Sequence, residues 1–219
     1  EYNKVTAAVQ RAIDLCGDFA QVARIAKEKG IDALGEIKIN VGRPMKVMLC
    51  QKAAGIEDAF ERVGRPCAFE YKYDGFRIQA HKAGDGTITL FTRRLENVTK
   101  QFPDVVEHVA NHVKGESFIV DCEAVGFDST TGKYLPFQHV SQRIRRKYDI
   151  AELAKKLPVE INVFDIMYHD GKNVMDEAYK DRRELLLNVV NPEIKKLIVS
   201  KQIITDNDDE ARTFYDQAV

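Results

Sequence analysis

Along this chain the hydrophobic pattern changes period, and that change bounds the fold before any single residue is weighed. From Tyr2 to about Lys29, apolar residues (Val5, Val9, Ile13, then Phe19, Val22, Ile25) recur at helical intervals with a break near Cys16-Gly17-Asp18, which predicts two helices. From Gly35 to Pro44 the pattern turns to strand-like alternation through Ile37, Ile39 and Val41 and ends in Gly42-Arg43-Pro44, a linker signal. A domain boundary is therefore expected near residue 41. Beyond it the two periods alternate. A short helix is predicted over Ile56–Val63, strands around Ala68–Lys82, and a hairpin where Asp85-Gly86 turns into Thr87–Thr92. A helix opening on Pro103 runs to Val113, an apolar strand covers Phe118–Phe127, another strand covers Val159–Tyr168, and a helix follows over Glu177–Val190. That order is mixed α+β, without internal repeat or low-complexity tract.

Bulk properties then restrict the class of function. A chain of 219 residues has room for one large domain, or one domain plus a fragment of another. Its 33 basic and 34 acidic residues nearly cancel, so whole-chain charge neither requires nor excludes a nucleic-acid partner, and any basic surface must be local. Cys16, Cys50, Cys67 and Cys122 lie far apart without a CxxC pair, which argues against a zinc site and a disulfide scaffold and for a reducing compartment. Nothing has the pattern of a signal peptide, and no apolar run reaches the roughly 18 residues of a membrane span. The expectation is a soluble intracellular protein with no membrane partner.

Among residues able to carry chemistry, Lys72-Tyr73-Asp74-Gly75 falls between alternating strand residues. Lys72 would sit on a rigid strand end or turn, with Gly75 letting the backbone bend or approach a ligand. A lysine with its ordinary pKa near 10.4 is neutral only about once in a thousand at physiological pH, so a nucleophilic lysine needs neighbouring cations or a desolvated pocket. Arg77 is one candidate cation. By itself K-x-D-G also fits a solvated strand followed by a turn.

Further blocks follow in order, and with them the chain resembles the covalent nucleotidyltransferases, most closely ATP-dependent DNA ligases of the archaeal and eukaryotic type. Glu70-Tyr71-Lys72-Tyr73-Asp74-Gly75-Phe76-Arg77 is similar to the family's first motif. The resemblance implies Lys72 as the catalytic residue that forms the AMP adduct, Glu70 by the adenine, and Arg77 by the ribose or phosphate. Thr92-Arg93-Arg94-Leu95-Glu96-Asn97-Val98-Thr99 resembles the next block and implies that Arg93 holds nucleotide or DNA phosphate, for which a guanidinium fork is suited. Phe118-Ile119-Val120-Asp121-Cys122-Glu123-Ala124-Val125 resembles the third motif. On a strand Asp121 and Glu123 share a face, so period alone does not choose between them; the resemblance assigns Glu123 to the ribose or to the bound metal. Val163-Phe164-Asp165-Ile166-Met167-Tyr168 is similar to the motif whose aromatic ring, here Phe164, packs on adenine. Pro136-Phe137-Gln138 with Arg143 and Arg145, and Asp181-Arg182-Arg183-Glu184-Leu185-Leu186, also resemble this subgroup rather than capping enzymes or RNA ligases.

The resemblance implies an α+β fold: an ATP-grasp-like nucleotidyltransferase adenylation domain with antiparallel sheets flanked by helices, preceded by a short helical segment. Residues 1–41 would be the tail and linker of a helical DNA-binding domain, and residues 42–219 an adenylation domain cut short before its last motifs and its OB domain. It further implies ATP and Mg²⁺ as cofactors, nicked duplex DNA as partner with a sliding clamp as a second candidate, a monomer, and nick sealing in replication, repair and recombination, cytoplasmic and nucleoid-associated in a prokaryote. The 219-residue stretch itself is expected to be very weak in self-adenylation and inactive in sealing. The rival readings are an RNA ligase or capping-type enzyme and a non-catalytic nucleotide- or DNA-binding remnant.

Three other patterns are set aside. Gly126–Lys133 has its glycines one residue too far apart for a P-loop, and Tyr134 stands where Ser or Thr would touch magnesium. His108 and His112 have one-face helical spacing but lack the H-E-x-x-H glutamate and read as a surface pair. The acidic run Asp206–Glu210 reads as a helix start rather than a calcium loop.

Overall fold

The computed structural model of the chain describes residues 2–46, 48, 50–146 and 148–218. Two helices, α1 (Tyr2–Cys16) and α2 (Phe19–Lys29), open it. Gly17 takes φ +64° between them, and Asp18 caps α2 by accepting a 2.9 Å hydrogen bond from the Gln21 amide. Their facing apolar residues (Ala12, Ile13, Leu15, Cys16, Val22) form a small cluster closed by Leu34 and Ile37. The strand expected from Gly35 does not form. Residues Asp32–Glu36 make a 3₁₀ turn, and Ile37 and Ile39 pack back onto the helical pair instead of alternating across a sheet. An apolar alternation of three residues is satisfied as well by a chain lying over a helix pair as by a ladder, and packing decided it.

The rest is α+β, as expected. A sheet of six strands has the order β3 (Ile88–Thr92), β2 (Phe76–Lys82), β4 (Phe118–Gly126), β5 (Val159–His169), β6 (Lys172–Asn173), with β7 (Leu197–Val199) joined to β5 as a parallel pair while the other pairings are antiparallel. Strand β4 is central, and Val120, Cys122 and Ala124 on one of its faces are completely buried with Ile78, Ala80, Ile161 and Val163. Helices α4 (Pro103–His112) and α7 (Tyr179–Val189) cover that face through Val105, Val109, Leu186 and Val189, and between them in the chain come the short helices α5 (Phe137–Ile144) and α6 (Ile150–Lys156). The expected hairpin is present. Gly86 supplies φ +84°, and Asp85 accepts from the Thr87 amide at 2.9 Å.

The stretch read as strands around Ala68–Lys82 divides between two sheets. Strand β1 (Cys67–Glu70) leaves the large sheet and pairs antiparallel with β8 (Gln202–Thr205), backed by α3 (Ile56–Val63) and α8 (Asp208–Asp216) through Phe60, Cys67 and Ala211. The acidic run does start a helix, with Asn207 accepting from the Asp209 and Glu210 amides at 2.9 and 3.1 Å. His112, expected at the surface, is buried: its ring hydrogen-bonds the Asn191 carbonyl at 2.9 Å.

The linker lies on the polar face of β2. Gln79 accepts from the Met45 amide at 3.0 Å and donates to the Met45 carbonyl at 2.9 Å, copying a strand pair with a side chain. His81, fully buried, accepts from the Gly42 amide at 3.1 Å. At the other end, a Cβ on Gly17 would stand 2.6 Å from the Pro44 carbonyl oxygen, so only glycine lets the linker pass so close to the helical turn.

Candidate active site

Residues 71–75 connect the small sheet to the large one, and Lys72 is exposed in that connection. Both ends are fixed. The Tyr71 amide donates to the Lys201 carbonyl at 3.0 Å, and the Lys201 amide donates to the Tyr73 hydroxyl at 3.2 Å. On the far side Gly75 presses against β4: a Cβ there would overlap the Ala124 carbonyl and stand 3.0 Å from Glu123 Cγ. The glycine is thus needed for approach to a neighbouring strand rather than to a ligand. Asp74 accepts a 3.4 Å hydrogen bond from the Phe137 amide, at the start of α5 (Phe137–Ile144). The Lys72 segment is thereby set beside the outer end of β4, where Glu123 lies.

Three of the expected site residues, Arg77, Glu123 and Phe164, share one sheet face. Arg77 on β2 is directly opposite Glu123 on β4, but its guanidinium forms a two-pronged pair with Asp121, one prong at 2.9 Å, and lies 5.3 Å from the centre of the Phe164 ring. The charge of Arg77 is therefore already matched, and it is not the free cation beside Lys72 that its sequence position suggested. Phe164 occupies the irregularity where β4–β5 pairing slips between Asp121 and Cys122, which keeps its ring on the polar face although the strand around it is core. Glu70 sits apart, on β1, and is held from α7 and the β7–β8 turn by Tyr179, Arg183 and Ser200. Arg93 is exposed in the turn after β3, one residue past Thr92, which pairs with Ile78; among the described residues its side chain makes no ion pair.

These contacts form a row of matched charges. Arg77 pairs with Asp121; Arg182, the residue before Arg183, forms a fork to Asp165 at 2.8 and 3.0 Å; and Arg183 reaches Glu70 at 3.1 Å. Glu123 has no guanidinium of its own among the described residues. Burial pushes its carboxyl up to about 7, Asp121 and Asp74 add to the rise, and only the nearby charges of Lys72 and Arg77 oppose it. Directly across on β5 stands Asn162, fully buried, whose Oδ1 finds no donor among the described residues. An under-compensated carboxylate beside an unpaired amide oxygen suits a hydrated divalent cation, which takes few protein oxygens when a phosphate supplies the rest. The described residues contain no cluster of three or more His, Cys, Asp or Glu that would hold a metal alone.

Sequence reasoning missed Asn162, Asp165 and Ser200. A polar residue in an apolar strand gives no sign of which partner it meets, and only the pairing register supplies that. Asp121 was visible as the alternative to Glu123, and its role is to hold Arg77. Arg143, noted in its motif, is buried in a structural role: it forks to Asp104 at 2.9 and 2.5 Å and donates to the Leu157 and Gln101 carbonyls.

Among the described residues no helix is long and apolar enough to cross a membrane. Residues 47–219 match the family model described as "ATP dependent DNA ligase domain". A DNA ligase of Nanoarchaeum equitans is 49% identical over 95% of this chain, and one of Thermococcus onnurineus is 42% identical over 96%. The chain spans about a third of those relatives, 36% and 37% of their lengths. A solved structure described as "Pmar-Lig_Pre." superposes with a TM-score of 0.53 at 13% identity, covering 90% of this chain and 42% of the other, which is a likeness of fold.

Proposed function

The chain belongs to the ATP-dependent DNA ligase family, and from that premise we propose that its Lys72 takes AMP from ATP as a phosphoramidate, which the whole protein passes to the 5′-phosphate of a nick in duplex DNA. The observation that carries this reading is the seating of Gly75 on β4, which sets an exposed lysine beside Glu123, on the strand that also carries Asp121 with its Arg77 partner near the Phe164 ring. The neutral Lys72 amine attacks the α-phosphorus, an N–P bond forms as the bond to the pyrophosphate oxygen breaks, and the amine proton leaves to solvent. Phosphoryl transfer of this kind depends on positioning and on charge neutralisation. Phe164 offers its ring to the base, Arg77 and the exposed Arg93 face phosphate or ribose oxygens, and Glu70 faces the adenine edge. Glu123 with Asn162 would hold Mg²⁺, which when bound offsets phosphate charge. On this reading residues 1–41 are the end of a DNA-binding domain and its linker, and residues 42–219 belong to the adenylation domain.

Incubation with ATP and Mg²⁺ followed by intact-mass measurement tests the assignment. One added AMP that disappears in Lys72→Ala is the expected result; label retained on the protein after that substitution overturns it. Phe164→Ala is expected to weaken ATP binding about tenfold, since a stacked ring contributes on the order of 1 kcal/mol beyond its burial, and to leave the site of modification unchanged.

A further inference from the structure

The contacts made by Glu70 are one-sided. The Ser200 hydroxyl at 2.5 Å, Arg183 Nη1 at 3.1 Å and the Tyr179 hydroxyl at 3.3 Å all point to the same oxygen, Oε1. Oε2 accepts nothing among the described residues, and it is not among the buried unpaired side-chain atoms, so it opens onto accessible space. The donors are themselves fixed. Arg183 Nη2 donates to the Ser200 carbonyl at 2.6 Å and Nη1 to the Ser200 hydroxyl at 3.1 Å, while Gln202, facing Glu70 across the β1–β8 pair, donates to the Tyr179 hydroxyl at 2.8 Å. A carboxylate anchored through one oxygen cannot rotate to present either at will. Its other oxygen becomes an oriented acceptor without a donor function.

We infer that Arg183, acting with Ser200 and Tyr179, is a positioning residue for base selection: by claiming Oε1 it dedicates Oε2 of Glu70 to an exocyclic amine of the incoming purine. The inference rests on the proposed nucleotide site and on Glu70 facing the base. An acceptor-only oxygen held in place accepts from a 6-amino group and is repelled by a 6-keto oxygen. The same three donors favour the charged form of Glu70 against its burial. Burial pushes its carboxyl above the ordinary range, Asp165 on β5 pushes it further, and Ser200, Arg183 and Tyr179 draw it back.

Binding of ATP and of purine ribonucleoside triphosphate, which lacks the 6-amine, is measured by competition against labelled ATP across pH, in the unaltered chain, Ser200→Ala, Arg183→Gln and Arg183→Lys. Loss of a hydrogen bond to a charged group costs about tenfold or more in affinity, so the unaltered chain is expected to prefer ATP by at least that factor. In Ser200→Ala and Arg183→Gln the preference is expected to collapse toward one and its pH midpoint to move upward, with partial recovery in Arg183→Lys. A purely structural arginine would weaken both nucleotides equally and leave the midpoint in place, and that result overturns the inference while sparing the Lys72 reading. Equal binding of both nucleotides by the unaltered chain also overturns it. Absence of binding to either removes the nucleotide site and this inference with it. Should Arg183→Gln fail to fold, Ser200→Ala decides, because it deletes one hydroxyl.

Discussion

At the residue scale the site is governed by which charges are already matched. Glu123 is the carboxylate left over, and its behaviour with pH follows. Its folded pKa of about 7 lies above the ordinary 4.5, so the folded state holds the proton more tightly than the unfolded chain does. Stability associated with it is full below pH 4.5 and is lost as pH rises through about 7. Urea unfolding of Glu123→Gln should therefore match the parent near pH 4.5 and exceed it increasingly up to pH 8; identical slopes would show that the carboxyl is well solvated. Gly75→Ala should lower stability by about 1–3 kcal/mol, as overpacking does, and should also lower adduct formation, because the new methyl pushes the Lys72 segment off β4. Denaturant midpoint and intact mass read the two effects separately. Part of this scale was legible: Lys72, Glu123, Arg77 and Phe164 were picked out by motif, and the structure brings Arg77, Glu123 and Phe164 to one sheet face with Lys72 close enough to act on the Glu123 charge. Which oxygen meets which nitrogen was not, because Asp121 and Glu123 have identical spacing signals and Asn162 looks like any interruption of an apolar strand.

At the element scale, long periodic segments were readable to within a residue or two, whereas short ones were decided by packing. Helices α3, α4 and α7 and strands β4 and β5 carry enough apolar positions to fix their type. The Ile37–Val41 alternation does not, and its Ile37 and Ile39 pack onto α1 and α2 instead. The separation of β1 from β2 into different sheets left no mark in residues 68–82, since a chain crossing between sheets has the same local pattern as one turning within a sheet. Buried guanidiniums do part of the joining of elements. Arg143 ties α5 to Asp104 at the start of α4 and to the Leu157 carbonyl, with its guanidinium 4.3 Å from the Phe102 ring centre. Arg143→Met should cost about 3 kcal/mol, since the partner carboxylate and two carbonyls lose their donor. Urea unfolding would measure it, and a change within experimental error would mean that water replaces the fork.

At the scale of the whole molecule, the linker is where the helical segment and the large sheet are held together. His81 is buried and neutral, with burial depressing its pKa from 6.5 to about 4. It serves the Gly42 amide only as an acceptor, which requires an unprotonated Nδ1. Here the folded pKa is depressed, so the stabilisation is present above pH 6.5 and lost as pH falls toward 4, by about 3 kcal/mol at roughly 1.4 kcal/mol per unit. Acidification should accordingly speed amide exchange at Gly42 and Met45 before it does so in β4, and His81→Leu should abolish that pH dependence. Uniform exchange rates across the linker and β4 would count against the clasp. The pairing of Cys67 with Thr205 and of Glu70 with Gln202 joins distant parts of the chain. During synthesis strand β1 emerges long before β8 exists to receive it, and closure over so long a loop comes late. Lys72 follows directly on β1, so its surroundings are completed only when residues beyond 200 have left the ribosome. From the emergence of Lys72 until β8 follows, a nascent chain thus carries that lysine without the partners that fix its segment.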